Sequence, residues 1–170
     1  RRYLRETKNL NSKIGKNELI KLAHPGWLIE KIKEDWPNDW NNILIANNER
    51  PPMFLRVNQL QNKREEYLIK LKRVGITGKK TNYSSDGILL EEPTSIEKLP
   101  GFAQGDISIQ DLAAQLAVEL LDLKPNHNVL DACAAPGGKS AHILESEPKI
   151  KTLTAIEKDR VIVLMLSFVL

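Results

Sequence analysis

The residues best suited to chemistry lie in a loop of small side chains between an apolar strand and a helix. Residues 128–140 read Asn-Val-Leu-Asp-Ala-Cys-Ala-Ala-Pro-Gly-Gly-Lys-Ser. Small side chains let backbone N–H groups reach a ligand, and Gly137 and Gly138 can adopt backbone angles that other residues avoid. Glu157 ends the next predicted strand, where a carboxylate can accept hydrogen bonds from two ribose hydroxyls. The pattern predicts a cofactor site.

Two other interpretations of this loop remain open. With glycine in place of Cys133 it would have the spacing of a phosphate-binding P-loop, so a nucleoside triphosphatase is the nearest different enzyme class. That first glycine makes the phosphate-cradling turn, and Glu157 suits a ribose better than a triphosphate. A plain structural turn is the other alternative, but three alanines, one proline and two glycines exceed what a tight connection needs.

The elements around the loop predict an α/β fold. Strand, glycine loop, helix and strand in succession form the first half of a doubly wound, Rossmann-like sheet. The predicted elements are a strand at 107–109, a helix that Asp111 caps, a strand at 128–131, a helix at 138–145 and a strand at 152–157.

A small α+β unit is predicted before this half-sheet. Asn62 and Glu65 have the spacing of a capping box that opens a helix, and Gly75 closes it. Pro51 and Pro52 end helical structure, and runs rich in strand formers follow. The predicted order is β-α-β-β, with strands at 53–58, 78–83 and 87–91.

Two short helices are predicted ahead of that unit, one at 27–33 and one that Asp39 caps. Trp27, Trp36 and Trp40 lie in or between them. These side chains could stack on RNA bases, but aromatic residues at near-helical spacing are more typical of a core.

The net charge of +3 hides an uneven distribution of charge. Residues 56–80 carry eight basic side chains against Glu65 and Glu66, whereas residues 81–122 carry Lys98 as their only cation among eight acidic side chains. The asymmetry is typical of a face that binds a polyanion, with an ordinary solvated helix surface as the alternative. The predicted contacts with a polyanion, which the resemblance described below implies to be RNA, are Arg56, Asn58, Lys63, Arg64, Lys72, Arg73, Lys79 and Lys80.

Length and composition bound the remaining possibilities. A chain of 170 residues with 41% apolar side chains can pack one domain or two small ones. A single cysteine excludes an internal disulfide framework, and no leader pattern is found at the start, so a cytoplasmic location is expected. His24, His127 and His142 lack metal-ligand spacing, which predicts no metal. The apolar run at 161–170 is too short for a membrane span.

The loop and four further motifs resemble the S-adenosylmethionine-dependent RNA cytosine-C5 methyltransferases of the Sun family, most closely the bacterial rRNA enzymes of the Sun/RsmB type. The loop matches the Leu-Asp-x-Cys-Ala-Ala-Pro-Gly-Gly-Lys motif of these enzymes. The other motifs, in the family's order, are His24-Pro25-x-Trp27-Leu28, Arg50-Pro51-Pro52-Met53-x-Leu55-Arg56-Val57-Asn58, Leu99-Pro100-Gly101-Phe102 and Ile109-Gln110-Asp111.

This resemblance implies methylation of cytosine carbon 5 in 16S rRNA of the small subunit, with S-adenosyl-L-methionine as cofactor. It also implies a full-length enzyme that is monomeric and not bound to a membrane. In the family, Lys139 lies near the methyl donor and the target. Glu157 departs from the aspartate that is common there and lies one residue farther from the loop. The implied methyl-donor site consists of Cys133, Ala134, Ala135, Pro136, Gly137, Gly138, Lys139 and Glu157.

Methylation of cytosine carbon 5 needs a thiolate that attacks carbon 6, and Cys133 is the only cysteine. In the family, the attacking and releasing cysteines belong to Asp-Ala-Pro-Cys-Ser-like and Thr-Cys-Ser-like motifs downstream of this loop. Neither motif occurs in the 170 residues. Cys133 is therefore predicted to be a loop residue and the chain to be inactive by itself. A non-catalytic RNA-binding fragment is the competing hypothesis.

The break at Pro100-Gly101 predicts a domain boundary. The resemblance implies that residues 23–100 are an RNA-recognition-like α+β subdomain that binds RNA, and that residues 101–160 are the N-terminal part of the methyltransferase domain. The subdomain lacks paired stacking aromatics, which favours contacts with the RNA backbone. Residues 1–22 are predicted to be a basic tail or linker. The resemblance implies that they end a NusB-like domain, and a disordered basic arm is the alternative. The off-pattern tail at 161–170 predicts a truncated or frameshifted reading frame, with a buried edge element as the alternative.

Overall fold

The computed structural model describes Thr7 and residues 22–158, and the chain divides into two compact units between Pro51 and Pro52. The predictions for the basic tail, apart from Thr7 and Leu22, and for the apolar tail at 161–170 lie outside the described residues. Among those that are described, no helix is long and apolar enough to cross a membrane.

Two helices make up the described part of the first unit, α1 (Gly26–Asp35) and α2 (Trp40–Asn47). Leu22, Ile29 and Leu44 are buried between them, and the Asn48 side-chain amide donates a 2.8 Å hydrogen bond to the Leu22 carbonyl. Burial of such apolar side chains contributes about 1.5–3 kcal/mol each, so this small cluster is what holds the helix pair together.

Two of the three tryptophans of this unit lie outside its core, and Trp40 packs against it. Trp27 and Trp36 are 70% and 59% exposed, so the core prediction is wrong for both. Ile29 and Ile32 take the inner side of α1 instead. Trp40 is partly buried, and the Lys33 ammonium lies 4.1 Å from its ring centroid. The predicted Asp39 cap is also wrong, because its side chain makes no capping hydrogen bond.

The second unit begins with five elements, β1 (Phe54–Val57), α3 (Arg64–Arg73), β2 (Gly78–Lys80), β3 (Gly87–Leu90) and β4 (Ile107–Ile109). The strands form an antiparallel sheet in the spatial order β2-β3-β1-β4. Helix α3 joins the first two strands in chain order, so the predicted β-α-β-β succession is confirmed.

One face of this sheet packs against α3 to form the main core. Leu55 and Val57 alternate toward that face, where Tyr67 and Leu71 of α3 are fully buried. The Tyr67 hydroxyl donates a 2.8 Å hydrogen bond to the Pro100 carbonyl, and burial, with Asp106 as a second cause, raises the pKa of Tyr67 to about 12. The phenol therefore stays protonated and keeps this hydrogen bond.

The predicted end of α3 is confirmed and its predicted start is wrong. Gly75 follows the helix with a left-handed φ of 76°, which glycine adopts without strain. The capping box does not form, since Lys63 is the residue at the cap and no side chain caps the helix. The Asn62 side-chain oxygen instead accepts a hydrogen bond from the Lys70 ammonium, which also pairs with Asp106.

A short 3-10 turn (Ile96–Lys98) leads to β4, which pairs with β1 of the first sheet. Backbone hydrogen bonding thus crosses the predicted boundary at Pro100-Gly101, and the four-part division of the chain remains a prediction. Helix α4 (Leu112–Glu119) follows. The predicted Asp111 cap is confirmed, because its carboxylate accepts a 2.9 Å hydrogen bond from the Ala113 N–H.

The glycine loop lies between the last three elements, β5 (Asn128–Asp131), α5 (Gly138–Ser146) and β6 (Thr152–Ala155). The two strands are parallel, with Asn128 opposite Thr152 and Asp131 opposite Ala155, and α5 packs against α4. This is the predicted strand, loop, helix and strand, and the α/β fold class is confirmed. Because parallel strands place their carboxyl ends together, the loop and Glu157 meet at one sheet edge.

Candidate functional site

The glycine loop turns sharply from β5 into α5. Gly137 is the residue at the helix cap, with φ 104° and ψ 0°, and its N–H donates a 2.7 Å hydrogen bond to the Ala134 carbonyl. Its own carbonyl accepts from the Ala141 N–H and so begins the helical ladder. This left-handed backbone suits glycine because it has no Cβ to clash.

Backbone hydrogen bonds tie the loop to the end of β6. The Ile156 N–H donates to the Asp131 carbonyl at 2.8 Å, and the Ala134 N–H donates to the Ile156 carbonyl at 3.1 Å. The Ala135 N–H then donates to the Glu157 carboxylate at 3.2 Å. The structure therefore brings Glu157 to the loop, as the sequence predicted, while its role as a ribose acceptor remains a prediction.

Asp131, the last residue of β5, stabilises the loop through hydrogen bonds to its carboxylate. One oxygen of its carboxylate accepts from the Cys133 N–H at 3.3 Å and the other from the Ser140 hydroxyl at 2.7 Å. The Ser140 side chain is fully buried. These contacts fix both ends of the loop, and sequence reasoning had assigned no role to either side chain.

The start of α5 and Glu157 together offer donors and acceptors to a cofactor. The N–H groups of Gly138, Lys139 and Ser140 precede the first hydrogen bond of the helical ladder, so no helix carbonyl accepts from them. The helix dipole also favours electron-rich groups at this end. A ligand that carries a carboxylate and ribose hydroxyls fits this combination of amides and a carboxylate.

The remaining predicted cofactor residues differ in exposure. Cys133, Pro136 and Lys139 are exposed, whereas Ala134 is buried and Ala135 is partly buried. Cys133 is a free thiol. Within residues 22–158, no group of three or more His, Cys, Asp or Glu side chains is arranged to hold a metal ion.

Arg56 is not available to RNA, so its prediction as an RNA contact is wrong. Its side chain is completely buried and makes an ion pair with Glu145 at 2.9 Å. The alternation of β1 directs Arg56 away from Leu55 and Val57, which lie in the main core. That second face of the sheet, however, is covered by other parts of the chain rather than by solvent.

Two more of the predicted RNA contacts hold loops in place. The Asn58 amide donates to the Gly105 carbonyl and accepts from the Leu60 N–H, both at 3.0 Å. The Arg64 guanidinium donates to the Ser84 carbonyl at 2.7 Å. Neither side chain is fully exposed, so both stabilise turns next to the first sheet.

The other five predicted contacts have exposed side chains at the start of α3, at its end and on β2. We call them the basic set. Among them, Lys80 pairs with Glu65 at 2.5 Å, and both partners are about half exposed. Exposed cations of this kind are what a phosphate backbone can contact. The basic set is Lys63, Lys72, Arg73, Lys79 and Lys80.

A buried polar cluster separates the first sheet from α5. His142 is 2% exposed, and its Nε2 lies 3.9 Å from an Asp86 carboxylate oxygen. Burial, with the charge of Arg56 as a second cause, lowers the pKa of His142 to about 3. Burial raises the pKa of Glu145, although Arg56 opposes that shift. His142 is therefore neutral at physiological pH.

Sequence reasoning treated His142 as an ordinary helix residue and assigned nothing to Glu145. Its partner Arg56 lies 89 residues away in the chain, so no local spacing connects the two. The one signal available in the sequence is the composition of α5. This helix places polar side chains, Ser140 and His142, beside the buried apolar residues Ala141 and Ile143, and it also carries Glu145.

Two family models match the chain. Residues 24–97 match the "Methyltr_RsmF/B-like, ferredoxin-like domain", which covers the first helices and most of the antiparallel sheet. Residues 118–165 match "16S rRNA methyltransferase RsmB/F", which covers the glycine loop and Glu157.

Curated relatives and solved structures agree with these matches. "Ribosomal RNA small subunit methyltransferase B" of Pseudomonas syringae pv. tomato is 48% identical over 82% of this chain and 31% of its own length. The "Probable ribosomal RNA small subunit methyltransferase B" of Coxiella burnetii is 48% identical over 94% of this chain and 37% of its own. A methyltransferase homologue from Pyrococcus horikoshii superposes with a TM-score of 0.71 at 28% identity, over 94% of this chain and 54% of its own.

The similarity therefore extends from the helices of the first unit through the antiparallel sheet to the glycine loop, and the chain spans about a third of the length of these curated relatives. On this evidence, the chain belongs to the RsmB/RsmF-type (Sun) family of 16S rRNA methyltransferases.

Proposed function

We propose that this chain is the rRNA-binding and cofactor-loop portion of an S-adenosyl-L-methionine-dependent methyltransferase that acts on cytosine carbon 5 of 16S rRNA. The observation that carries the proposal is the hydrogen bond from the Ala135 N–H to Glu157, which sets a carboxylate beside the glycine loop. The names of the curated relatives support the substrate class.

The loop amides and Glu157 would bind different parts of the cofactor. The N–H groups of Gly138 and Lys139 would bind the carboxylate of the methionine part, and Glu157 would bind the ribose. The exposed Lys139 lies at the start of α5, where its ammonium can contact an anionic group. When bound, the cofactor supplies a sulfonium-activated methyl group.

The residues present support binding more than catalysis. Cys133 is exposed, but its backbone is bound to Asp131, and it is the single cysteine of the chain. A cytosine-C5 methyltransferase needs one thiolate to attack carbon 6 and, in this family, a second cysteine to release the product. We therefore propose that the chain is inactive alone and binds rRNA through the basic set.

The cofactor part is tested by titrating the 15N-labelled chain with S-adenosyl-L-methionine and following its amide resonances. We expect weak binding, with the largest shifts at Ala135, Gly138 and Lys139. Glu157→Gln removes the charge that meets the ribose and should weaken the affinity about tenfold, which corresponds to about 1.4 kcal/mol.

Glu92→Gln is the matched control, since Glu92 is exposed and lies outside the loop region. It should leave the titration unchanged. If S-adenosyl-L-methionine shifts the amide resonances of the Glu157→Gln variant as much as those of the wild type, this carboxylate does not take part in the site. Transfer of a labelled methyl group to rRNA by the purified chain would contradict its proposed inactivity.

The RNA part is tested by the salt dependence of binding to a small-subunit rRNA transcript. The triple variant Lys72→Gln, Arg73→Gln, Lys79→Gln should bind at least about tenfold more weakly. Each lost phosphate contact should lower the slope of log affinity against log salt by about 0.7 for single-stranded RNA. Fluorescence anisotropy at several salt concentrations measures both quantities.

The matched control has the same net charge but leaves the basic set intact. It replaces three exposed lysines elsewhere, Lys98, Lys149 and Lys151, by glutamine. If both triple variants lose the same affinity and the same slope, the RNA responds to net charge alone and the basic set is not a binding surface.

A further inference from the structure

Arg56 occupies the centre of the first sheet on the face opposite its apolar core. It pairs with Gly87 of β3 on one side and Ser108 of β4 on the other. Gly87 has no room for a side chain on this face, because a Cβ there would clash with the Thr81 hydroxyl and would lie 2.9 Å from the Gln115 side-chain oxygen. Polar side chains therefore pack directly against the backbone beside Arg56.

The guanidinium of Arg56 divides its hydrogen bonds between the sheet and α5. On the sheet side it donates to the Gln110 side chain at 3.1 Å and to the Ser108 hydroxyl at 3.2 Å. On the α5 side it donates to the Gly138 carbonyl at 3.0 Å and to Glu145 at 2.9 Å. Four of its five N–H groups are used in this way.

The two α5 contacts are seven residues apart in sequence, yet one guanidinium reaches both. A helix carbonyl points toward the C-terminus of the helix, while side chains lean toward its N-terminus. The Gly138 carbonyl and the Glu145 carboxylate therefore converge near the middle of α5, where His142 lies. Arg56 is therefore hydrogen-bonded to the first turn of α5, the helix that follows the glycine loop.

A fully buried guanidinium is unfavourable unless it is paired and hydrogen-bonded. Burial indeed lowers the pKa of Arg56, and the negative charge of Glu145 opposes that shift. Two apolar side chains in place of Arg56 and Glu145 would fill the same space without the desolvation cost of a buried ion pair. Packing alone therefore does not explain why this site holds charged residues. Unlike apolar contacts, hydrogen bonds fix direction, and one of them ends on Gly138 beside the loop.

We propose that Arg56 is a positioning residue that holds the first turn of α5, and with it the glycine loop, against the antiparallel sheet. This inference rests on the proposed function, because it assigns Arg56 to the cofactor site through Gly138. The predicted RNA contact is thereby replaced by a role in orienting the loop amides. The sheet that neighbours the basic set and the loop that binds the cofactor would then share one rigid connection.

The test compares Arg56→Met with the double variant Arg56→Met, Glu145→Met in the full 170-residue chain. The single variant leaves Glu145 buried without its partner and is expected to lower the melting temperature. The double variant replaces the ion pair by apolar side chains, which is often neutral for stability. We expect it to melt close to the wild type, with faster hydrogen exchange at the Ala141 amide, which donates to the Gly137 carbonyl at the start of α5, and unchanged exchange in β1 and β3.

The ligand arm repeats the S-adenosyl-L-methionine titration with the double variant, for which we expect at least tenfold weaker binding. Arg56→Lys should restore the melting temperature but not the affinity, because one ammonium cannot hold Gly138 and Glu145 in the same fixed geometry. Wild-type exchange and wild-type affinity in the double variant would overturn the proposal. If the wild type itself shows no ligand-induced shifts, the proposed function fails, and the ligand-free exchange still decides the role of Arg56.

Discussion

Gly137→Ala should lose S-adenosyl-L-methionine binding and destabilise the second unit. Gly137 has φ 104° at the cap of α5, and a side chain at such an angle costs about 1–3 kcal/mol. The chain can relieve that strain by rotating the peptide groups on either side. Such a rotation would break the 2.7 Å hydrogen bond to Ala134 and turn the amides of Gly138 and Lys139 away from the ligand. The amide titration should then show at least tenfold weaker binding.

Gly138→Ala is the matched control one residue further along. Gly138 is the first helical residue, and a Cβ there would meet the Gln110 side chain at 3.7 Å, an ordinary contact. Alanine is also the better helix former, so this variant should unfold at the wild-type urea concentration or slightly above it. Equal unfolding midpoints and equal affinities for Gly137→Ala and wild type would show that the left-handed turn does not shape the site.

The glycine loop could be predicted because its determinants are local. Small residues, a strand before the loop and a carboxylate after the next strand are all read within residues 128–157, and the parallel pairing of β5 with β6 brings their ends together. The start of α4 was predictable for the same reason, since Asp111 caps its own helix two residues on.

Two predictions were wrong because side chains from other parts of the chain decide the outcome. Strand alternation placed Arg56 on the correct side of β1, but it could not show that α5 covers that side, because Glu145 is 89 residues away. Asn62 and Glu65 satisfied the spacing of a capping box. In the structure, the Asn62 side-chain oxygen instead accepts a hydrogen bond from the Lys70 ammonium, which also donates to Asp106.

The exposed tryptophans show the same limit. Aromatic residues at near-helical spacing predict a core when the opposing element can cover them. Here α2 is eight residues long and contributes one fully buried side chain, Leu44, so Trp27 and Trp36 remain exposed. Large exposed aromatic side chains are suited to stacking on RNA bases, the alternative that the sequence left open.

His142→Gln should flatten the dependence of stability on pH below neutrality. Burial, with the positive charge of Arg56 as a second cause, lowers the pKa of His142 to about 3, against 6.5 for the unperturbed side chain. Between these values the unfolded chain binds a proton that the folded chain does not. The stability that this group contributes is therefore full above pH 6.5 and is lost progressively as the pH falls toward 3, by at most about 1.4 kcal/mol per pH unit.

Urea denaturation between about pH 5 and pH 7 measures this slope where most unfolded carboxylates are ionised. Glu145 contributes with the opposite sign, because its raised pKa gives stability that is lost as the pH rises. Subtracting the variant curve from the wild-type curve removes the part of this contribution that both share. His142→Leu, a second neutral replacement, should flatten the curve equally. A wild-type slope that survives in both variants would mean that His142 accepts a proton in the folded chain, and that the cluster around Arg56 admits a second positive charge.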